Sequence, residues 1–150
     1  MITSETALVD TNVLVYAADG TSPFHHSSKA LRDKGLRGEV SLCIFPQILS
    51  EFFAITTDPR RVTNPRTQEE AIAEIEKYLT EERLLKLYPG PDIIDIMLDF
   101  LRRYQIKKQE IFDLQLVATM LSNNIKRIYT FNRWHFEKFT EIKALEPSTS

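Results

Sequence analysis

The chain has 150 residues, 43% of them apolar and 27% charged, with a formal net charge of −2. That balance predicts one globular domain over residues 1–150 and excludes a disordered chain; the apolar runs fall short of the ~18 residues that cross a bilayer, no secretion leader precedes the first strand, and the lone Cys43 makes no internal disulfide, so a cytoplasmic protein with no membrane partner is expected. The slightly negative charge also excludes a general attraction for nucleic acid, so any polyanion must be held by a local patch or by metal ions.

Residues 6–10 (TALVD) read as a first buried strand, and a short helix fits Val13 to Ala17. Ser22 and Pro23 predict an N-cap followed by proline at the first helical position, with a helix running to about Gly38. A second strand is expected over 40–45 (VSLCIF). Pro46 opens a helix through Phe53 that stops near Asp58-Pro59. Residues 59–66 (PRRVTNPR) form a basic loop broken by proline. Thr67 to about Glu82 has helical period, with Ala71, Ile75, Tyr78 and Leu79 facing inward. Leu84 to Tyr88 is a short strand. A helix from Pro91 turns Ile94, Leu98, Leu101 and Tyr104 inward, and Glu110 to about Asn123 is a strongly apolar helix. Strands over Ile125–Thr130 and Ile142–Leu145 close the chain. Short apolar strands alternating with helices predict an α/β fold, a parallel sheet covered on both faces. Ligands of such sheets bind at the carboxyl ends of strands, where strand order reverses. Asp10 and Asn132 both fall at such ends.

Three acids stand on apolar-flanked positions in three separate elements. Asp10, alone, reads first as a helix N-cap, and Asn12 reads the same way. Glu51, in PQILSEFFAI, is either a rim residue reaching water or a site residue. Asp113, in QEIFDLQLVATML, shares a face with Leu116, Val117 and Met120, and complementation of the helix dipole explains it less well than it explains Glu110. Together they are more telling. Carboxylates converging in one crevice raise one another's pKa unless a cation intervenes, and an all-oxygen ligand set suits a hard ion, Mg²⁺ or Mn²⁺. His25-His26, without spaced Cys or His partners, reads as a first helical turn. His135 reads as packing beside Phe136 and Phe139, and Cys43 as an inert core residue.

The segments LVDTNVLVYA, ILSEFF, IFDLQLVATML and YTFNRWHFEKF, in that order and spacing, resemble the PIN-domain ribonucleases, especially the VapC-type toxins of toxin–antitoxin pairs. The resemblance covers nearly the whole chain. It implies a PIN-like sheet of order 3-2-1-4-5 with helices on both faces. It implies a catalytic set of Asp10, Glu51, Asp113 and Asn132, with Asp10, Asp113 and Glu51 as the metal-holding acids and the neutral Asn132 orienting water or a phosphate oxygen. Thr11, Asn12 and Thr130 then fix the acids by hydrogen bonds. The implied activity is hydrolysis of an RNA phosphodiester with Mg²⁺ or Mn²⁺, and the implied partners are RNA, a VapB-type antitoxin and a second copy of the chain in a homodimer. Arg133 is a candidate phosphate contact beside Asn132. Arg60 and Arg61 divide evenly between an RNA grip and ordinary solvated surface.

Other readings fare less well. A haloacid-dehalogenase-like phosphatase needs an acid where Asn12 stands, and a phospho-receiver needs an acidic pair near the first strand. A PIN nuclease that is not a toxin, or a catalytically weak RNA- or protein-binding PIN module, are the alternatives; the surviving acids argue against the second.

Overall fold

Ala7, Leu8 and Val9 form β1 (Ala7–Val9), and all three are buried. Successive strand residues point to opposite faces, so a run with every residue buried requires cover on both sides of the sheet. The same holds for β2 (Leu42–Ile44). The computed structural model describes residues 1–148. Among them, β1, β2, β3 (Leu85–Lys86), β4 (Arg127–Tyr129) and β5 (Lys143–Leu145) form one sheet of order β3-β2-β1-β4-β5. Every pairing is parallel, with Leu8 opposite Cys43 on one side and Ile128 on the other. The order is the one the family resemblance implied. Strand order reverses at β1, so the crevice beyond the carboxyl ends of β1 and β4 is the place where such a sheet receives ligands.

Among the described residues, six α-helices accompany the strands: α1 (Thr11–Ala18), α2 (His25–Leu36), α3 (Pro46–Thr56), α4 (Gln68–Thr80), α5 (Ile93–Arg103) and α6 (Glu110–Ser122). Helix α1 packs on α2 and α3, α3 packs on α4, and α5 packs on α6. Phe45, Phe52, Leu8, Ile44 and Ile128 are fully enclosed, each side chain stabilising the fold by about 1.5–3 kcal/mol through burial. Burial pushes the Cys43 thiol up to about 12, so it stays protonated and inert.

Local chemistry explains the helix ends. Pro46 occupies the start of α3, as expected. Thr67 and Glu70 form a reciprocal capping box at α4. At the end of α2, Gly38 has φ of 75°; its N–H bonds Gly35 O while that of Glu39 bonds Lys34 O. This Schellman closure needs a residue tolerant of left-handed backbone at position 38. Helix α2 departs from expectation at its start. It begins at His25 with no side-chain cap, because Ser22 Oγ accepts from Phe24 N and holds Ser22-Pro23 in a preceding turn.

The inner face of α5 is also different from the expected one. Ile94, Leu98 and Leu101 are 61%, 43% and 43% exposed, while Phe100 is buried. The apolar residues of this helix span a wide arc, with Asp95, Asp99, Arg102 and Arg103 gathered on the other side, so period alone could not choose which part of the arc is buried. Ring packing chooses it: Phe100 meets Tyr104 at 5.5 Å and Phe139 at 5.7 Å between centroids. Tyr104 faces inward as expected. Leu79 of α4 likewise points out, while Ala71 and Tyr78 are buried as expected. No helix is long and apolar enough to cross a membrane, among the described residues.

Candidate active site

Asp10 directly follows β1 and caps α1, its Oδ1 accepting from Thr11 N at 2.8 Å. Its other oxygen accepts from Thr130 Oγ1 at 2.8 Å and from Asn12 Nδ2 at 3.3 Å. Thr130, fully buried just beyond β4, also accepts from Asn12 Nδ2 and from the Asn132 backbone N–H at 3.0 Å. Asn12 Oδ1 in turn accepts from Phe131 N. Asp10 thus caps α1, as it reads when taken alone, while its carboxylate is also held by groups from both central strand ends.

Glu51 arrives from the middle of α3. Thr11 Oγ1 donates to its Oε2 at 3.3 Å and Gln47 Nε2 to its Oε1 at 3.0 Å. Asp113 arrives from the first turns of α6. These three acids line one pocket of about 530 Å³ with Gln47, Ser50, Phe112, Gln115 and Leu116. No Lys or Arg lines it. Lys138, the nearby cation, is ion-paired to Glu110.

All three acids are harder to ionise than usual. Burial raises Asp10, with repulsion from Asp113 adding to it and the Thr130 and Thr11 bonds opposing. Burial also raises Glu51, reinforced by Asp10 and countered by Gln47 and Thr11. Asp113 is raised by burial, then by Glu110 and Glu51, while His135 opposes. A pocket of mutually repelling, desolvated carboxylates with no lining Lys or Arg is chemically matched to a hard divalent cation. Among the described residues, no three His, Cys, Asp or Glu side chains already stand in a metal-holding arrangement. What the acids share is a pocket and an electrostatic field.

The remaining candidates separate. Asn132 joins the network through its backbone N–H and does not line the pocket. Arg133 follows it, loosely paired to Glu146 at 3.5 Å. Arg60 is paired to Asp58 at 3.2 Å on the turn after α3, and neither it nor Arg61 lines the pocket. The chain carries a second pocket of about 460 Å³ near the end of α1, but its Arg66 is already held by Glu74 and by Ala18 O.

Three residues close to the acids are not marked by the sequence: Gln47 and Phe112 line the pocket, and His135 approaches Asp113. Gln47 was visible in principle, since it stands one helical turn before Glu51. Phe112 reads as one more apolar residue of α6. His135 does not pack in the core as expected: Phe136 and Phe139 are buried, but the His135 ring lies with Nδ1 3.6 Å from Asp113 Oδ2. That reach depends on a 3₁₀ turn over Arg133–His135, which no periodicity announces.

A family model for the PIN domain matches residues 7–141. Ribonuclease VapC24 of Mycobacterium tuberculosis is 26% identical over 143 residues, spanning 95% of this chain and 97% of its own. Ribonuclease VapC48 of the same organism is 24% identical over 138 residues, or 92% and 94% of the two chains. Among solved structures, M. tuberculosis VapC20, a sarcin-ricin loop cleaving toxin, has a TM-score of 0.64 at 16% identity, over 89% of this chain and 95% of that one. VapBC2 from Rickettsia felis, bound to a DNA fragment from its promoter, has a TM-score of 0.64 at 14% identity, over 94% and 98%. At these identities the solved structures speak for the fold.

Proposed function

The chain belongs to the PIN domain family, and from that premise we propose that residues 1–150 act as one endoribonuclease domain, the toxin of a toxin–antitoxin pair, that hydrolyses RNA phosphodiester bonds with Mg²⁺ or Mn²⁺. The observation that carries the proposal is the convergence of Asp10, Glu51 and Asp113, from three separate elements, on one pocket at the strand-order reversal. The curated relatives named ribonuclease support the reaction class.

The residues that would hold the cation are Asp10, Asp113 and Glu51. When bound, a hard divalent ion supplies activation of water and neutralisation of charge on the phosphate. The chain's own contribution is to keep the acids ionised and aimed. Thr11 bridges two of them, giving its backbone N–H to Asp10 and its hydroxyl to Glu51. Thr130 and Asn12 fix the second oxygen of Asp10, and Gln47 fixes the second oxygen of Glu51. Asn132 is proposed to orient water or a phosphate oxygen at the mouth of the site, and Arg133 to contact a neighbouring phosphate.

We propose a VapB-type antitoxin as the protein partner, supported by solved relatives that are toxin–antitoxin complexes. A homodimer is part of the same proposal, and cytoplasmic RNA is the substrate pool. The test is cleavage of structured RNA with Mg²⁺ or Mn²⁺ by wild type and Asp10→Asn. Cleavage by wild type alone supports the proposal; equal cleavage by both, or by neither, overturns it.

A further inference from the structure

Two large aromatic side chains stand open to solvent beside the acids. Phe112 is 53% exposed and lines the acid pocket, one residue before Asp113. Trp134 is 63% exposed on the 3₁₀ turn after Asn132. Its ring meets that of His135 nearly edge-on, with 5.2 Å between centroids, and His135 in turn reaches Asp113. Both aromatics are thus tied to the same acid, one through the chain and one through a single intervening ring.

Their exposure is not explained by packing. Phe24, also exposed, leans on Tyr16 and Phe131. Phe112 has no ring partner among the described residues, and Trp134 has only His135. A wide apolar ring left in water at a pocket mouth gains free energy when another flat group covers it.

The electrostatics indicate what that group is. The pocket has no lining Lys or Arg, and the chain is net negative, so phosphate attraction is a weak source of affinity for RNA here. Stacking of bases on aromatic rings needs no charge and tolerates any base. Sequence-tolerant stacking also requires bases free of their helix.

Resting on the ribonuclease reading, we propose that Phe112 and Trp134 are the side chains on which the nucleobases flanking the scissile phosphodiester stack. A paired helix offers no free base face to either ring. Phe112 holds a base at the pocket wall, and Trp134 holds a second near Asn132.

Trp134 is the sole tryptophan of the chain, so its emission reports on stacking directly. The experiment titrates the full-length Asp10→Asn protein, in Mg²⁺, with hexauridylate and with an abasic hexamer of the same phosphate count. The uridine hexamer should quench the emission and bind at least tenfold more tightly than the abasic one. Adding Phe112→Ala should weaken the uridine hexamer about 5- to 160-fold, the range of one lost stacked base, and leave the abasic hexamer unchanged. Trp134→Phe should retain most of the affinity that Trp134→Ala loses. Equal affinity for the two hexamers, or an unquenched emission at saturation, overturns the inference. Cleavage by the wild-type chain is scored separately. Base-dependent quenching without cleavage would sink the nuclease reading and keep the stacking surface. Cleavage without base dependence would sink the stacking surface alone.

Discussion

Replacing Thr130 with Val removes one hydroxyl and almost no volume. That hydroxyl donates to Asp10 Oδ2 at 2.8 Å and accepts from Asn12 Nδ2 at 3.3 Å and Asn132 N at 3.0 Å. The side chain is fully buried, so water cannot replace the lost partners. A hydrogen bond to a charged group contributes about 1.5–3 kcal/mol and a neutral one about 1 kcal/mol. Asp10 keeps Asn12 and the Thr11 N–H, which tempers the loss to about 2–4 kcal/mol. For a chain of this size that lowers Tm by roughly 5–15 °C. The penalty also depends on pH. Burial raises Asp10 above its ordinary value of 3.8 while the Thr130 bond pulls it down. The bond therefore stabilises the ionised form. Its loss costs most at neutral pH and progressively less as pH falls through the raised folded-state value. Urea unfolding of wild type, Thr130→Val and Thr130→Ser at several pH values between 4 and 7 measures this. Thr130→Ser should restore most of the stability. A Thr130→Val penalty below ~0.5 kcal/mol, the size of an ordinary surface change, or one constant with pH, refutes the reasoning.

Asp113→Asn should stabilise the metal-free protein at pH 7, because the Asp113 carboxylate is raised from its ordinary 3.8 by burial and then by Glu110 and Glu51. A raised acid favours the fold below its unfolded value and loses that advantage as pH rises through the folded one. The Tm difference from wild type should thus grow between pH 4 and 7 and vanish near pH 3, at about 2–4 °C per kcal/mol; a lower Tm at pH 7 contradicts it. Arg133→Gln should flatten the log–log salt dependence of RNA affinity by about 0.7, the slope of one single-strand phosphate contact. Arg60→Gln with Arg61→Gln, on a turn outside the pocket, should leave cleavage of a short oligonucleotide unaltered, as gel-resolved rates would show.

Features that act within one turn or one strand are legible in the sequence. Pro46 and Thr67 mark helix starts because their chemistry acts within one turn. The buried strands stand out because residues such as Ala7–Val9 and Leu42–Ile44 are apolar without alternation. Asp10, Glu51 and Asp113 could be singled out because each is an acid where apolar neighbours make a charge costly, although their common pocket came from the family resemblance and not from spacing. What escaped depends on contacts distant in sequence. The buried stripe of α5 is decided by Phe139, far along the chain. The turn that brings His135 to Asp113 is set by the Asn132–Thr130 bond and the 3₁₀ geometry after it. Ser22, a good capping residue by type, is used for a turn before α2 because its hydroxyl bonds Phe24 N first.

The proposed activity requires Asp10, Glu51 and Asp113 to act as one cation site. Calorimetric titration of Mn²⁺ into wild type, Asp10→Asn, Glu51→Gln and Asp113→Asn tests that directly, with no substrate present. Wild type should bind, and each substitution should weaken binding at least tenfold while the far-ultraviolet spectrum stays unchanged. Four indistinguishable Mn²⁺ isotherms would contradict it.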